Sequence, residues 1–304
     1  MFEKLKWNLM RQYEGMELDE AIGASRVTVA GSEALEVSFT RRVKFRVRES
    51  ADNILSDLKL LRGVGPVTEE RLKSEGYLTV PDLLDHERYR YEASRVLSMI
   101  QSGDVYSLRC YLNASASDER VLCALGRLDG GAFTFLDIET LGLSGEPVIL
   151  TGMAWIEDGK IHVRQRLAPE PSMEAAVLEI FRHIPSDSVL VTFNGASFDI
   201  PYIRRRSEFH NLSNRLEQCH IDLYHVSRRL WGKSLPDCKL CTVESHILGV
   251  ERDLDIPGAY VPDYYHTYLS TGNPGPLVPV VEHNREDIIN MALLLSHINS
   301  GSTD

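Results

Sequence analysis

The chain has 304 residues, of which 43% are hydrophobic, and it carries a formal net charge of -11 at pH 7. This length and apolar content allow a large buried core and favour more than one domain. The negative net charge argues against a protein that binds nucleic acid through positive charge over its whole surface, while a local basic face remains compatible with it.

No part of the sequence has the length and apolar character of a membrane span, which needs about 18 or more consecutive apolar residues. The first residues, MFEKLKWNLMRQYEG, also lack an apolar signal-peptide core followed by a cleavage site of small residues. We therefore expect no membrane partner and a cytoplasmic protein. The cysteines number 5 at irregular spacing, which indicates reduced thiols rather than a disulfide framework.

Residues 1–50 are expected to form a small β-rich element. Its clearest strand is the stretch 41–48, RRVKFRVR, in which basic and apolar residues alternate. One face of this strand would pack, and the other would be uniformly positive. The positive face could follow the phosphates of a nucleic acid. It could equally be the solvated side of a sheet edge that is protected by charge.

Residues 51–130 are predicted to be helical, with further helices over 86–101 and 105–113. A helix over 51–62 leads to Gly63 and Gly65, and a second helix begins at Val67 or Thr68 and ends at Gly76. The stretch LLRGVGPVTEERLKSEG, within 55–85, resembles the helix-hairpin-helix motif. That resemblance implies binding of a nucleic-acid backbone, usually DNA, through the glycine hairpin. The alternative is an ordinary two-helix packing or protein-docking unit.

Residues 131–300 show the element order of an α/β domain. We predict strands over 133–138, 148–155, 161–167, 188–193 and 220–222. Helices are predicted over 172–183, 199–209, 223–231, 240–248 and 279–298. Three antiparallel strands followed by alternating helix and strand predict a mixed five-stranded sheet flanked by helices.

Two acidic residues end the first of these strands, in GAFTFLDIETLGL. Residues two apart on a strand point to the same side, so Asp137 and Glu139 are expected to project together. Like charges at the end of an apolar strand repel each other and lose hydration, which favours a bound cation. Oxygen ligands suit a hard ion such as Mg²⁺ or Mn²⁺.

Further candidates lie far along the chain. Asp199 follows the strand 188–193, and it could also cap a helix. His283 and Asp287 are four residues apart on the last predicted helix and therefore share a face. Asp287 could instead pair with a basic side chain. We expect all of these side chains to gather at one site.

The motifs FLDIETLGL, TFNGASFDIPYI and HNREDI, in this order, are similar to the three exonuclease motifs of the DEDD superfamily, which has the ribonuclease-H-like fold. The likeness covers about 133–298 and is greatest to the YprB-type branch. It implies that Asp137, Glu139, Asp199 and Asp287 bind two Mg²⁺ or Mn²⁺ ions. It places His283 where the family has its catalytic Tyr or His, although His at this four-residue offset departs from both common forms.

Three residues next to the motifs are weaker candidates for contact with nucleic acid. Thr140 and Leu141 directly follow the acidic pair, as do the residues that line the nucleotide pocket in similar enzymes. Asn194, in Asn-Gly-x-x-Phe-Asp, could touch a nucleotide, but Asn-Gly is also a common turn sequence.

The pair Cys238 and Cys241 forms a CxxC sequence. One CxxC is half of a zinc site, and no second CxxC is present in the sequence. A structural zinc or iron–sulfur site is therefore the lesser alternative, and the prediction is buried free thiols.

The sequence thus predicts a two-metal-dependent nuclease that hydrolyses phosphodiester bonds, as a 3'-5' exonuclease on single-stranded DNA rather than RNA. One alternative is an RNA-processing or structure-selective nuclease of the same fold. A second alternative, from another class, is a catalytically inactive nucleic-acid-binding or scaffold protein. A serine hydrolase is excluded by the lack of a GxSxG elbow between a strand and a helix.

Overall fold

The structure, a computed structural model, describes residues 2–29, 31–45, 54–114, 130–214, 216–252 and 256–300. The chain divides into two compact units. The first comprises Met1–Lys44 and Phe133–Leu294, and the second comprises Phe45–Ala132 and Leu295–Asp304. In the described ranges, no helix has both the length and the apolar character needed to cross a bilayer.

Strands of the first unit form a single mixed sheet. The strands are β1 (Ser25–Val29), β2 (Ser32–Arg42), β3 (Phe133–Thr140), β4 (Val148–Glu157), β5 (Lys160–Leu167), β6 (Val189–Thr192) and β7 (Cys219–Asp222). Their order is β1-β2-β5-β4-β3-β6-β7. The first five in this order pair antiparallel, and β6 and β7 continue the sheet parallel to β3.

The α-helices alternate with these strands in the first unit and dominate the second. They are α1 (Phe2–Gln12), α2 (Leu18–Ile22), α3 (Pro66–Ser74), α4 (Arg90–Gln101), α5 (Val105–Leu112), α6 (Glu174–Leu178), α7 (Asp199–Phe209), α8 (Leu223–Trp231), α9 (Leu240–Val243), α10 (Val261–Thr271) and α11 (Val278–Ser300). A π-helical stretch, Glu244–Leu248, continues α9. The prediction of an α/β fold with a mixed sheet and flanking helices is confirmed.

The predicted number of five strands is wrong, because the sheet has seven. The two additional strands, β1 and β2, come from the segment 1–50, for which the sequence predicts a separate element. Thr40 on β2 is the register partner of His162 on β5, across 122 residues of chain. A two-stranded hairpin is only marginally stable by itself in water. The edge of β5 offers backbone N–H and C=O groups with which β2 can pair. The segment is also less purely β than predicted, since it begins with α1 and α2.

The predicted basic strip 41–48 is only partly described. Strand β2 ends at Arg42, and Arg41, Arg42 and Lys44 are exposed. Residues 46–48 lie outside the described ranges. The exposed basic side chains agree with both interpretations of the strip, a phosphate contact and a solvated edge.

Apolar layers cover both faces of the sheet. Leu136 and Ile138 of β3 lie in a core cluster with residues of α6 and α7. On the other face, Leu35 and Leu167 lie in a cluster with residues of α10 and α11, including Tyr265 and Val281. Because strand residues alternate between faces, β3 contributes apolar side chains to the first layer and turns Asp137 and Glu139 toward the second.

The second unit is helical and has its own core, built around Leu58, Leu72, Leu83 and Val96. The predicted helix over 51–62 is met only in part, since Ile54 and Leu55 are helical but the helix does not continue to 62. Residues 58–60 form a 3₁₀ turn instead, in which Leu58 and Leu60 are both buried. Residues 51–53 lie outside the described ranges. Helices α4 and α5 agree closely with the predicted 86–101 and 105–113.

Candidate functional site

Strand β3 delivers the first two acids to the face that α11 covers. Asn284 of α11 donates from Nδ2 to Asp137 Oδ2 at 2.7 Å. Glu139, two residues further along β3, is buried on the same face. The strand alternation therefore places the two carboxylates together, as predicted.

Asp199 reaches the same site through the parallel strand β6. Phe135 of β3 is the register partner of Val191 on β6, so both strands end at one edge. A short loop then leads to α7, which begins at Asp199. Asp199 Oδ1 accepts a hydrogen bond from the Ile138 backbone N–H at 3.2 Å, which ties it directly to the strand between the first two acids.

The loop before Asp199 is held by Asp222, which also caps α8 as the sequence predicts. Its carboxylate accepts the backbone N–H of Asn194 at 2.7 Å and that of Ala196 at 3.0 Å. Asn194 has a φ of 64°, the left-handed conformation that Asn tolerates well. The structure thus gives Asn194 the turn-forming position. Its contact with a nucleotide stays a prediction.

Helix α11 supplies the last two candidates one turn apart. His283 Nε2 lies 3.8 Å from Glu139 Oε1 and 3.7 Å from Asp287 Oδ2. Asn284, the residue after His283, is the one that binds Asp137. The helix therefore presents two contacts to the acids of β3, from His283 to Glu139 and from Asn284 to Asp137.

The electrostatics show that the four acids share one site. Burial raises the pKa of the Asp137 carboxyl well above its usual value, and the charges of Asp199, Asp287 and Glu139 raise it further. Burial also raises the pKa of Asp199 to about 7, with contributions from the charges of Asp222 and Asp287. These carboxylates come from three separate parts of the sequence, and the fold brings them close enough to oppose each other's ionisation.

Two residues that sequence reasoning missed fix the distance between α11 and the sheet. Gln165 of β5 donates from Nε2 to Asn284 Oδ1 at 2.7 Å and to the Val281 carbonyl at 2.9 Å. Gly152 of β4 is the register partner of Asp137. A Cβ at Gly152 would lie 2.2 Å from Ile288 Cδ1 and 2.3 Å from Asn284 Oδ1. Only glycine allows α11 to approach this closely.

Replacing Gly152 with Ala is expected to destabilise the first unit by about 1 to 3 kcal/mol, because the added methyl group overpacks the contact with α11. The measurement is urea unfolding followed by tryptophan fluorescence. All 3 tryptophans, Trp7, Trp155 and Trp231, lie in the first unit. The control is Gly258→Ala, where a Cβ would meet nothing within 4 Å. Equal stability of the two variants would contradict the close-approach argument.

Arg252 is a further member of the site, and no sequence motif points to it. Its Nη1 lies 2.6 Å from Asp287 Oδ1 and 3.4 Å from His283 Nδ1. Its other side contacts Glu244, from Nε to Oε2 at 2.9 Å and from Nη2 to Oε1 at 2.5 Å. A lone arginine outside every motif carries no sequence signal, so only its position in the fold identifies it.

The donor set suits a divalent cation in its chemistry, although the side chains are turned to other partners. Among the described residues, no three His, Cys, Asp or Glu side chains are spaced to hold an ion as they lie. Asp137 accepts a hydrogen bond from Asn284, and Asp287 contacts Arg252. These two contacts explain why the side chains are not spaced around a common ion position. The site nevertheless consists of buried, mutually repelling oxygen donors, and these are the ligands that Mg²⁺ and Mn²⁺ prefer.

The remaining candidates next to β3 have structural contacts. Thr140 Oγ1 donates to the Gly142 carbonyl at 2.6 Å, and the Leu141 backbone N–H donates to the Pro147 carbonyl at 3.1 Å. The loop that follows is held by Tyr202, whose hydroxyl donates to the Glu146 carbonyl at 2.7 Å. Thr140 and Leu141 therefore begin an ordered loop beside the acids, and their contact with a nucleotide stays a prediction.

The hairpin glycines lie in the second unit. Gly63 has a φ of 83°, which a side chain would strain, and Gly65 precedes α3 as its N-cap. Glu69 of α3 is buried and accepts the Leu58 backbone N–H at 3.1 Å, which joins the two arms of the hairpin. The described residues thus form a compact glycine hairpin, and its binding of nucleic acid stays a prediction.

The cysteines of the CxxC sequence are free thiols, but the prediction that both are buried is wrong. Cys241 is exposed and Cys238 is intermediate, while Cys219 is buried. Helix α9 turns Val243 inward, which leaves Cys241 on its outer side. Cys123 lies outside the described ranges.

Comparisons with known proteins agree with this architecture. A family model for the RNase H superfamily matches residues 134–299, more than half of the chain. A Bacillus subtilis (strain 168) protein named uncharacterized protein YprB is 34% identical over 172 residues, which are 54% of this chain and 41% of YprB. A DNA polymerase of Methanocaldococcus jannaschii is 26% identical over 161 residues, covering 42% of this chain and 10% of the polymerase.

The solved structure of the family B DNA polymerase from Pyrobaculum calidifontis is also similar. Its TM-score is 0.42 at 15% identity, and the match covers 90% of this chain and 44% of that one. The chain spans less than half the length of each of these relatives. From the matched family model and the sheet that carries the clustered acids, this chain belongs to the RNase H superfamily.

Proposed function

We propose that this protein is a metal-dependent nuclease of the DEDD type, and that it acts as a 3'-5' exonuclease on single-stranded DNA. The observation that carries the proposal is the convergence of Asp137, Glu139, Asp199 and Asp287 on one face of the sheet, with His283 between two of them. Acids whose pKa is raised by burial and by neighbouring charges, as for Asp137 and Asp199, are typical of functional sites.

In this proposal each side chain has a defined task. The four carboxylates would hold two Mg²⁺ or Mn²⁺ ions, which when bound supply an activated water and charge neutralisation at the departing oxygen. His283 Nε2 faces the space beside Glu139 and Asp287, where it can accept a proton from that water. Asn284 orients Asp137, and Asp222 orients the loop that ends at Asp199.

DNA is proposed as the substrate on two grounds. The curated relative in Methanocaldococcus jannaschii is named a DNA polymerase. The hairpin of the second unit also resembles a motif that usually binds DNA. The 3'-5' direction rests on the resemblance of the three sequence motifs to those of DEDD exonucleases.

Purified protein with Mn²⁺ should be incubated with end-labelled single-stranded DNA, duplex DNA and RNA, and the products sized over time. We expect single-stranded DNA labelled at its 5' end to shorten progressively. Release of mononucleotides from a 5' end would contradict the proposed direction. Preferential cleavage of RNA would favour the RNA-processing alternative, and preferential cleavage of duplex DNA would favour the structure-selective one.

One observation favours the inactive nucleic-acid-binding alternative. Arg252 already neutralises Asp287, and as they lie no three described side chains are spaced for an ion. The same incubation decides between the two functions. A protein that binds the substrates with Mn²⁺ present and cleaves none of them would be a binding protein.

The hairpin is proposed as a second contact with DNA. Its glycines expose backbone N–H groups next to the start of α3, where the helix dipole adds partial positive charge. Replacing Gly65 with Val is expected to weaken binding of single-stranded DNA several-fold in EDTA at low salt, and the difference from the unchanged protein should narrow as salt rises, because a lost phosphate contact reduces the salt dependence. A Cβ at Gly65 meets nothing within 4 Å, so the fold should tolerate the change.

Fluorescence anisotropy of a labelled oligonucleotide measures this effect, and Gly258→Val in the first unit is the matched control. If Gly65→Val and the control bind equally well, the hairpin has a packing role only.

A further inference from the structure

Arg252 forms a close ion pair with a proposed metal ligand. Its Nη1 lies 2.6 Å from Asp287 Oδ1, a charge contact without hydrogen-bond geometry. The side chain of Arg252 is 10% exposed and that of Asp287 17%, so solvent screens this pair little. In this arrangement the guanidinium contacts one of the two oxygens of the Asp287 carboxylate.

Glu244 holds Arg252 in that place. The two side chains form a bidentate pair, and Glu244 is 1% exposed. Burial raises the pKa of the Glu244 carboxyl, and the charge of Asp287 raises it further. Among the described residues, Arg252 thus contacts two carboxylates, Asp287 of the acid cluster and the buried Glu244 outside the candidate ligand set.

A cation that binds the cluster must compete with this arrangement. It must take Asp287 from Arg252, and it must enter beside a fixed positive charge. Two like charges a few ångströms apart in a partly buried site repel each other strongly enough to change an affinity many-fold. Glu244 eases the competition, because it can retain the guanidinium after Asp287 has left.

We propose that the Glu244–Arg252 pair sets the affinity of the acid cluster for divalent cations, with Arg252 as the internal counter-cation that Asp287 exchanges for a metal ion. Arg252 is in this sense a positioning residue. The inference rests on the proposed function, since it takes Asp287 as a metal ligand. It predicts that replacing Arg252 strengthens Mn²⁺ binding and that replacing Glu244 weakens it. A merely structural role would not produce effects of opposite sign.

The test is titration of the full chain with Mn²⁺ alone, measured by calorimetry. Arg252→Gln should bind Mn²⁺ about tenfold or more tightly than the unchanged protein, because the competing charge is gone. Glu244→Gln should bind about tenfold more weakly, because the whole guanidinium charge then faces Asp287. Arg252→Lys keeps the charge and should stay close to the unchanged protein.

Arg26→Gln is the matched control. Arg26 on β1 forms an ion pair at 2.8 Å with Asp19 on α2, outside the acid cluster. If Arg252→Gln does not fold, Glu244→Gln and Arg252→Lys still decide the matter. Equal affinities in all variants, or weaker binding by Arg252→Gln, would overturn this inference and leave the nuclease proposal in place. Failure of every variant to bind Mn²⁺, together with no hydrolysis, would overturn both.

Discussion

Replacing Asp137 with Asn is expected to lower Mn²⁺-dependent hydrolysis of single-stranded DNA by about 100- to 1000-fold or more, the usual cost of removing one preorganised electrostatic group from an active site. Asp137 is the acid on which the charges of the other three act. Asparagine has the same shape but supplies no negative charge to a cation. The measurement is the initial rate of product formation at saturating Mn²⁺.

Asp137→Asn, although it lowers activity, should not lower the stability of the metal-free protein. The pKa of Asp137 is raised in the folded state by burial and by its neighbours' charges, so an ionised Asp137 opposes folding when no metal is bound. Asp137→Asn should therefore be at least as stable as the unchanged protein in EDTA at neutral pH. The control is Asp158→Asn, at an exposed hairpin position. Full activity in Asp137→Asn would refute the metal assignment, and loss of both activity and stability would leave only a packing role.

Asp199 is expected to make the metal-free protein less stable as the pH rises. Its pKa is about 7 in the folded state, against 3.8 for an ordinary Asp side chain. Between these values the native state binds more protons than the unfolded state, so the free energy of unfolding falls with increasing pH. Each pKa unit corresponds to about 1.4 kcal/mol, so the loss between pH 5 and pH 8 is roughly 2 to 3 kcal/mol, shared with Asp137.

Urea unfolding in EDTA at pH 5 and pH 8, followed by tryptophan fluorescence, measures this loss in the first unit. Asp199→Asn keeps an oxygen for the Ile138 N–H and removes the titrating group, so it should gain stability over the unchanged protein at pH 8 and less at pH 5. Asp187→Asn, at an exposed position, is the control. If Asp199→Asn gains the same amount at both pH values, the buried-charge argument fails.

The main features of the site follow from local periodicity. Asp137 and Glu139 share a face because strand residues alternate, and His283 and Asp287 share a face because they are one helical turn apart. The mixed sheet follows in the same way from the order of strands and helices. These properties depend on residues close together in the chain, so the sequence determines them wherever the element forms.

The strand count and the full length of the helix over 51–62 were predicted wrongly because both depend on contacts between residues far apart in the chain. The strand count failed because β2 pairs with β5 across more than a hundred residues, and its alternation is equally compatible with a separate hairpin. The helix predicted over 51–62 is helical at Ile54 and Leu55 but stops before Leu58, because burial of Leu58 and Leu60 in the second core fixes a 3₁₀ turn. In each case a long-range contact decided what the local pattern left open.

By itself, the sequence determined the α/β class, the acids that share a face and the family to which the chain belongs. Only the tertiary structure decided that Gly152 and Gln165 set the distance of α11 from the sheet and that Arg252, held by Glu244, neutralises Asp287. The physical reason is that these contacts join residues on different elements. Their energies depend on the distances between those elements, which no periodicity within one element encodes.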